Sequence, residues 1–161
     1  MPNPEPETLR VTLPSDTGYL HLVANLARNA AAAAGLGEAD ADKVALATDE
    51  AVSNVIRHAY HNRKGRTVEL VVKDLADRLE IYVIHDGDPV DTDALPVDIN
   101  LDEYVKDRRT GGLGVVLMAR LMDEVDYRTT DDDRNACCLS KFKAGAETAA
   151  PAEGTEHAAG G

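Results

Sequence analysis

The sequence has little of what secreted and membrane proteins need. Its two cysteines, Cys137 and Cys138, are neighbours, and adjacent cysteines rarely close a disulfide. No His and Cys residues recur at metal-ligand spacing. The alanine-rich stretch around residues 28–35 is too short to span a bilayer, and the Pro- and Glu-rich start does not resemble a signal peptide. We therefore expect a cytoplasmic protein with no membrane contact.

Basic residues are also scarce. The 161 residues include 17 Lys and Arg against 29 Asp and Glu, a net charge of -12. Nucleic-acid binding needs clustered cations, so direct contact with nucleic acid is not expected. A solvated acidic surface is the commonest reason for such a charge, although it also suits a basic protein partner. A length of 161 residues is enough for one domain with a core, and 43% hydrophobic residues is a value typical of globular proteins.

Hydrophobic periodicity predicts one domain between two loose tails. Residues 1–7 and 144–161 have the composition of disordered tails, which leaves residues 8–143 as the domain. Within it the patterns follow the order β, α, α, β, β, long loop, α, β, β. This order predicts an α+β fold, a two-layer sandwich with helices on one face of a mixed, mostly antiparallel sheet.

The helix boundaries follow from capping residues and glycines. Ser15 or Asp16 can cap a first helix that ends near Ala34, before two glycines. Asp40 can cap a second helix that continues to about Tyr60.

The second helix carries an unexpected polar row. In "DEAVSNVIRHAY", Glu50, Asn54 and His58 recur every four residues at the edge of an apolar arc. An amide oxygen is a suitable ligand for hydrated Mg²⁺, and a carboxylate beside it can act as a base. A solvated helix edge would have the same spacing, so this row alone does not decide the function.

Two loops could complete a site with that row. In "IHDGDP", Asp86 and Gly87 follow a strand, where a buried carboxylate could accept a hydrogen bond from the adenine amino group, although Asp-Gly turns are common. In "RRTGGLGVVLM", Gly111, Gly112 and Gly114 lead into a helix, and basic residues including Arg109 precede them. Backbone N–H groups at such a helix start can bind phosphate, although a flexible loop is the plain alternative.

Together, the three patterns resemble the ATP-binding domain shared by gyrase, histidine kinases, a heat-shock chaperone and mismatch repair proteins. The patterns are E-x-x-x-N-x-x-x-H-A-Y, D-x-G-x-P and G-G-L-G-x-x-L, in that order. "EAVSNVIRHAY" and "GGLGVVLMARLMDEVDY" are similar to the bacterial anti-sigma-factor serine/threonine kinases. The resemblance extends from Leu9 to Lys143.

The resemblance implies roles for the polar row and the Asp-Gly turn. Glu50 matches the general base and Asn54 the Mg²⁺ ligand. Asp86 matches the carboxylate that reads adenine, with Gly87 beside it. His58 is expected to be structural.

It also implies a phosphate loop and a changed last strand. Gly112 and Gly114, with Gly111 and Arg109 beside them, would contact the phosphates of ATP behind a lid formed by residues 90–111. Many members carry Gly-Thr before the last strand, with the Thr near adenine. Here Asn135 or a cysteine stands in that place, which leaves open the group that completes the adenine pocket.

The function implied is that of an ATP- and Mg²⁺-dependent kinase. It would bind a sigma factor and phosphorylate a Ser or Thr of an anti-anti-sigma antagonist, and related kinases suggest a homodimer. The alternative is a non-catalytic module that binds ATP or ADP. A sensor histidine kinase fits poorly, because the chain has no room for a phosphoacceptor helix pair before the nucleotide domain.

Overall fold

The computed structural model describes residues 5–91 and 113–145. Five strands and three helices follow one another along these residues. They are β1 (Glu7–Pro14), α1 (Leu20–Ala33), α2 (Glu38–Asn54), β2 (Thr67–Asp74), β3 (Arg78–His85), α3 (Leu113–Leu121), β4 (Glu124–Thr129) and β5 (Asn135–Phe142). In this part of the chain, no helix combines the length and apolar character that crossing a bilayer would require.

The strands form one sheet in the order β1-β2-β3-β5-β4, and its four described pairings are all antiparallel. Alternate residues of each strand point to the same face. One face is apolar and carries residues such as Leu70, Ile81, Val83 and Leu139, all at most 1% exposed. The three helices cover this face, which confirms the predicted two-layer α+β sandwich.

The helices are amphipathic, with small residues where they pack closely. In α1, Val23, Ala27 and Ala31 repeat every four residues and are all buried. The apolar arc predicted for α2 is buried throughout, including Val44 and Val52. These stripes leave the polar edge of α2 facing away from the core.

The helix starts agree only in part with the capping prediction. Asp16 accepts a hydrogen bond from the Gly18 N–H at 2.8 Å and caps the short turn that leads into α1, as expected. The second helix begins at Glu38 with Gly37 as its N-cap, so the prediction that Asp40 caps it is wrong. Asp40 lies in the first turn, where its negative charge interacts favourably with the helix dipole.

The second helix widens before it ends. Residues Val55–Ala59 form a π-helical turn, in which the Tyr60 N–H donates to the carbonyl of Val55 at 2.9 Å. This insertion rotates the chain relative to an ideal helix, and such turns are frequent at functional sites. It directs Tyr60 beneath the end of β3, where only 2% of its surface is exposed.

Candidate active site

The last turns of α2 and the first turn of α3 meet at a polar contact. A Cβ atom built on Gly114 would lie 2.6 Å from Glu50 Oε2 and 3.4 Å from both polar side-chain atoms of Asn54. Glycine at this position therefore leaves space that the carboxylate and the amide share. The structure brings together these three residues, which sequence reasoning had placed in one site.

A cavity of about 470 Å³ opens beside this contact, a size typical of small-molecule sites. Its wall combines the end of α2 and its π turn, the loop after β3, one side of α3, and the facing ends of β4 and β5. The lining residues include Asn54, His58, His85, Asp88, Val115, Met118, Arg128, Thr129, Asn135 and Cys137.

Asp86 does not line this cavity. Its side chain is 60% exposed, and its Oδ1 accepts a hydrogen bond from the Tyr60 hydroxyl at 2.9 Å. The Arg66 guanidinium lies 3.8 Å from the same oxygen. The expectation that the Asp86 carboxylate is buried is therefore wrong.

His85 takes the place in the cavity wall that was expected for Asp86. The alternation along β3 turns Ile81 and Val83 toward the helices, so His85 points inward with them while Asp86 falls on the opposite side. His85 is only 4% exposed. In the pattern D-x-G-x-P, Gly87 and Pro89 fix the register, and the first position then falls on His85.

Gly87 is required by the packing below it. A Cβ there would lie 2.6 Å from the carbonyl oxygen of Ala59 and 2.8 Å from Cδ1 of Tyr60. The next residue, Asp88, donates its N–H to the same carbonyl at 3.1 Å. Gly87 therefore allows the loop after β3 to dock onto the π turn, and the next residues of this loop, Asp88 and Pro89, line the cavity.

Tyr60 ties the same loop together from beneath. Its hydroxyl accepts the Asp86 N–H at 3.2 Å and lies 2.6 Å from the carbonyl oxygen of Thr67. Its ring meets the imidazole of His85 edge-on, with 5.9 Å between centroids. Burial is the largest cause that raises the pKa of the Tyr60 phenol, so the hydroxyl stays protonated. The tyrosine of the "HAY" pattern is thus structural.

His58, which was expected to be structural, lies at the cavity. Its side chain is exposed and forms part of the cavity wall. The π turn displaces it from the core-facing side of an ideal helix, an effect that helical spacing alone does not reveal.

Asn135, one of the candidates for the last strand, begins β5 and lies in the cavity wall. Its Nδ2 donates to the carbonyl oxygen of Gly87 at 2.9 Å. Thr129 and Arg128 of β4 also line the cavity and were missed. The register of the β4–β5 hairpin could have identified them in the sequence, since Thr129 is the cross-strand partner of Asn135.

The cysteines have no catalytic part here. Cys137 lies in the core and in the cavity wall, and burial raises the pKa of its thiol to about 12. Cys138 points to the other face of the sheet, and neither cysteine forms a disulfide. A protonated thiol is neither a nucleophile nor a metal ligand.

Three predicted site residues, Arg109, Gly111 and Gly112, lie outside the described residues, as does nearly all of the predicted lid. Among residues 5–91 and 113–145, no cluster of three or more His, Cys, Asp or Glu side chains is arranged to hold a metal ion. A cation in this region would depend on few protein oxygens, as Mg²⁺ does when it also binds phosphates.

Comparison with known proteins points to a family of ATP-binding kinases. A family model described as the histidine kinase-like ATPase domain matches residues 13–141. The serine-protein kinase RsbW of Halalkalibacterium halodurans is 31% identical over 143 residues, which cover 86% of this chain and 85% of the relative. RsbW of Bacillus velezensis is 30% identical over 124 residues, 75% of this chain and 78% of its own length. RsbW of Staphylococcus aureus is 29% identical over 121 residues, 73% and 76% of the two chains.

Proposed function

Because the chain belongs to the histidine kinase-like ATPase domain family, we propose that it transfers the γ-phosphoryl group of ATP to a Ser or Thr of an antagonist protein. Its enzyme class is protein serine/threonine kinase, in agreement with its relatives, which are named serine-protein kinases. The observation that carries the proposal is the contact of Glu50, Asn54 and Gly114 beside the cavity.

The chemistry needs a base for the incoming hydroxyl. We assign this role to Glu50, whose side chain is half-buried at the edge of α2. The hydroxyl oxygen bonds to the γ-phosphorus while the bond to the oxygen bridging β and γ breaks, and ADP leaves. The hydroxyl proton passes to Glu50, which later returns it to solvent.

Mg²⁺ is implied by the family, and the side chains present fit it. Asn54 offers an amide oxygen and Glu50 a carboxylate, both of the hard oxygen type that Mg²⁺ prefers. Gly114 leaves the space between them free of side chain. Asn54 would hold the ion, which when bound supplies positive charge against the phosphates. Arg109, Gly111, Gly112 and Gly114 are assigned to the phosphates themselves.

The partners proposed are a sigma factor and an anti-anti-sigma antagonist. Unphosphorylated antagonist would occupy the kinase, and its phosphorylation would free the kinase to hold the sigma factor. The net charge of -12 suits a basic partner surface. We further propose a homodimer in the cytoplasm, where free cysteines such as Cys137 and Cys138 stay reduced.

A second candidate is a module that binds ATP or ADP without phosphorylating a protein. The observation that favours it concerns the part of the cavity proposed for adenine. There His85 and Asn135 stand in place of the groups usual in the family. Both candidates require nucleotide binding, so phosphoryl transfer decides between them.

The test is Glu50→Ala, with transfer of radiolabelled phosphate to a candidate antagonist as the readout. Alanine keeps helix propensity, so fold and nucleotide affinity should persist while transfer falls by about 10²- to 10⁴-fold. Asp42→Ala is the matched control, an exposed acid of the same helix that pairs with Arg28 at the surface. Wild-type transfer in Glu50→Ala would remove Glu50 as the base. Nucleotide binding without transfer in the unmutated protein would favour the binding module.

A further inference from the structure

A row of polar side chains crosses the sheet where β3, β5 and β4 end. His85 pairs with Asn135 across one strand boundary, and Asn135 pairs with Thr129 across the next. All three residues line the cavity. Cross-strand partners point to the same side, so this row forms a polar end to an otherwise apolar wall.

The hydrogen bond of His85 fixes which ring nitrogen carries its proton. Nδ1 accepts the Gly87 N–H at 3.2 Å, so in the neutral ring the proton lies on Nε2. Burial is the main cause that lowers the pKa of His85, against the opposing charge of Asp86, and the ring is therefore neutral at pH 7. Within residues 5–91 and 113–145, no group hydrogen-bonds to Nε2. The free edge of the ring is a hydrogen-bond donor.

The amide of Asn135 is oriented in the same way. Its Nδ2 donates to the carbonyl oxygen of Gly87 at 2.9 Å, which leaves Oδ1 as the acceptor on the other side of the amide. His85 and Asn135 are thus held by the N–H and the C=O of one glycine. Beside each other they present one donor and one acceptor.

We propose that this pair reads the adenine base of ATP: His85 Nε2–H donates to adenine N1, and the adenine amino group donates to Asn135 Oδ1. The inference rests on the proposed function, since it names the base contacts of the same nucleotide site. It assigns to His85 a donor role that a carboxylate, which only accepts, cannot perform. Guanine has a donor at position 1 and an acceptor at position 6, so both contacts are mismatched.

The packing around His85 explains how an imidazole can serve as a specific reader. The edge-on contact with Tyr60 and the bond to Gly87 hold the ring in one orientation. A donor held in this way needs no reorganisation when the base arrives, and a base that lacks the acceptor leaves it unsatisfied.

The experiment measures the affinity of ATP and of 1-deaza-ATP, which lacks the N1 acceptor, by calorimetry. For the unmutated protein we expect ATP to bind about tenfold more tightly, the value of one hydrogen bond in a buried site. In His85→Phe the ratio of the two affinities should fall to about one. General damage to the pocket weakens both nucleotides alike, so the ratio isolates the N1 contact.

The matching experiment for Asn135 compares ATP with purine riboside triphosphate, which lacks the amino group. The preference for ATP should be lost in Asn135→Ala and kept in His85→Phe. A full preference for ATP in Asn135→Ala would remove Asn135 from the base contact.

The outcomes separate this inference from the proposed function. If ATP binds and transfer to protein proceeds, but His85→Phe keeps the full preference for ATP over 1-deaza-ATP, the assignment of His85 is overturned while the kinase stands. If the unmutated protein binds no nucleotide, both fall. Should His85→Phe fail to fold, ¹⁵N spectra of the unmutated protein decide, because the Nε2 signal should shift with ATP and stay unchanged with 1-deaza-ATP.

Discussion

Replacing Gly114 with Ala should separate stability from catalysis. The backbone of Gly114 lies outside the left-handed region, at the second residue of α3, so alanine fits it without backbone strain. Glycine costs a helix more conformational entropy than alanine does, and the replacement should stabilise the fold by about 0.4–1 kcal/mol. In thermal unfolding this corresponds to an increase of about 1–4 °C for a chain of this size.

The same methyl group should damage the reaction. The new Cβ would lie 2.6 Å from Glu50 Oε2, whereas ordinary contact begins at 3.4 Å, so the carboxylate must move by about 0.8 Å. This displacement is cheap for folding because the end of a glutamate side chain is flexible. It is costly for proton transfer, where a misplacement of about 1 Å can lower the rate by about 10²-fold.

Paired assays on one preparation decide the matter: thermal unfolding, and phosphate transfer under saturating ATP. The control is Ala119→Gly in the same helix, an exposed position where the loss of helix propensity should cost about 1 kcal/mol and leave the rate unchanged. If Gly114→Ala transfers phosphate at the wild-type rate, Glu50 does not act from the position seen here. If it unfolds at a lower temperature, the Glu50 carboxylate cannot move aside at low cost.

Further predictions concern the loop after β3. Gly87→Ala should destabilise the protein by about 1–3 kcal/mol in urea unfolding, since its Cβ meets the rigid carbonyl of Ala59; an unchanged midpoint would contradict the packing. Asp86→Asn should change ATP affinity by no more than about twofold in calorimetry, because the side chain lies outside the cavity; a larger loss would return Asp86 to the base site. Because burial lowers the pKa of His85, the unfolded chain takes up a proton near pH 6.5 before the folded one does, so stability falls as pH falls below about 6.5. Between pH 7.5 and 5.5, the urea midpoint of His85→Phe should fall by less than that of the unmutated protein. Equal losses would show that His85 does not cause the pH dependence of stability.

Local sequence patterns predicted the two layers of the fold and the neighbouring positions of Glu50 and Asn54 on α2. Alternation in the strands and the buried arc of α2 are properties of single elements, and a period of four residues suffices to place Glu50 and Asn54 together. Their contact with Gly114 followed from the resemblance, because nothing local relates residues 60 positions apart.

The inward position of His85 was not predicted, although part of its signal was present in the sequence. The alternation Ile81, Val83, His85 indicates that the histidine points inward and Asp86 outward, but a carboxylate beside a glycine matched the expected motif more readily. The π turn had no local signal. It depends on tertiary contacts, in which Tyr60 fills the space below Gly87.

The strand order has a consequence for synthesis of the chain. β5 comes last among the described strands, yet it lies between β3 and β4 and carries Asn135 and Cys137 of the cavity wall. While the ribosome is still making residues 135–142, β3 therefore has one unpaired edge and the cavity lacks a wall. A product that stops before residue 135 would expose a hydrophobic strand edge of the kind that aggregates or is captured by chaperones. The cavity is thus complete only once nearly the whole domain has been translated, so incomplete chains lack the site that the finished kinase carries.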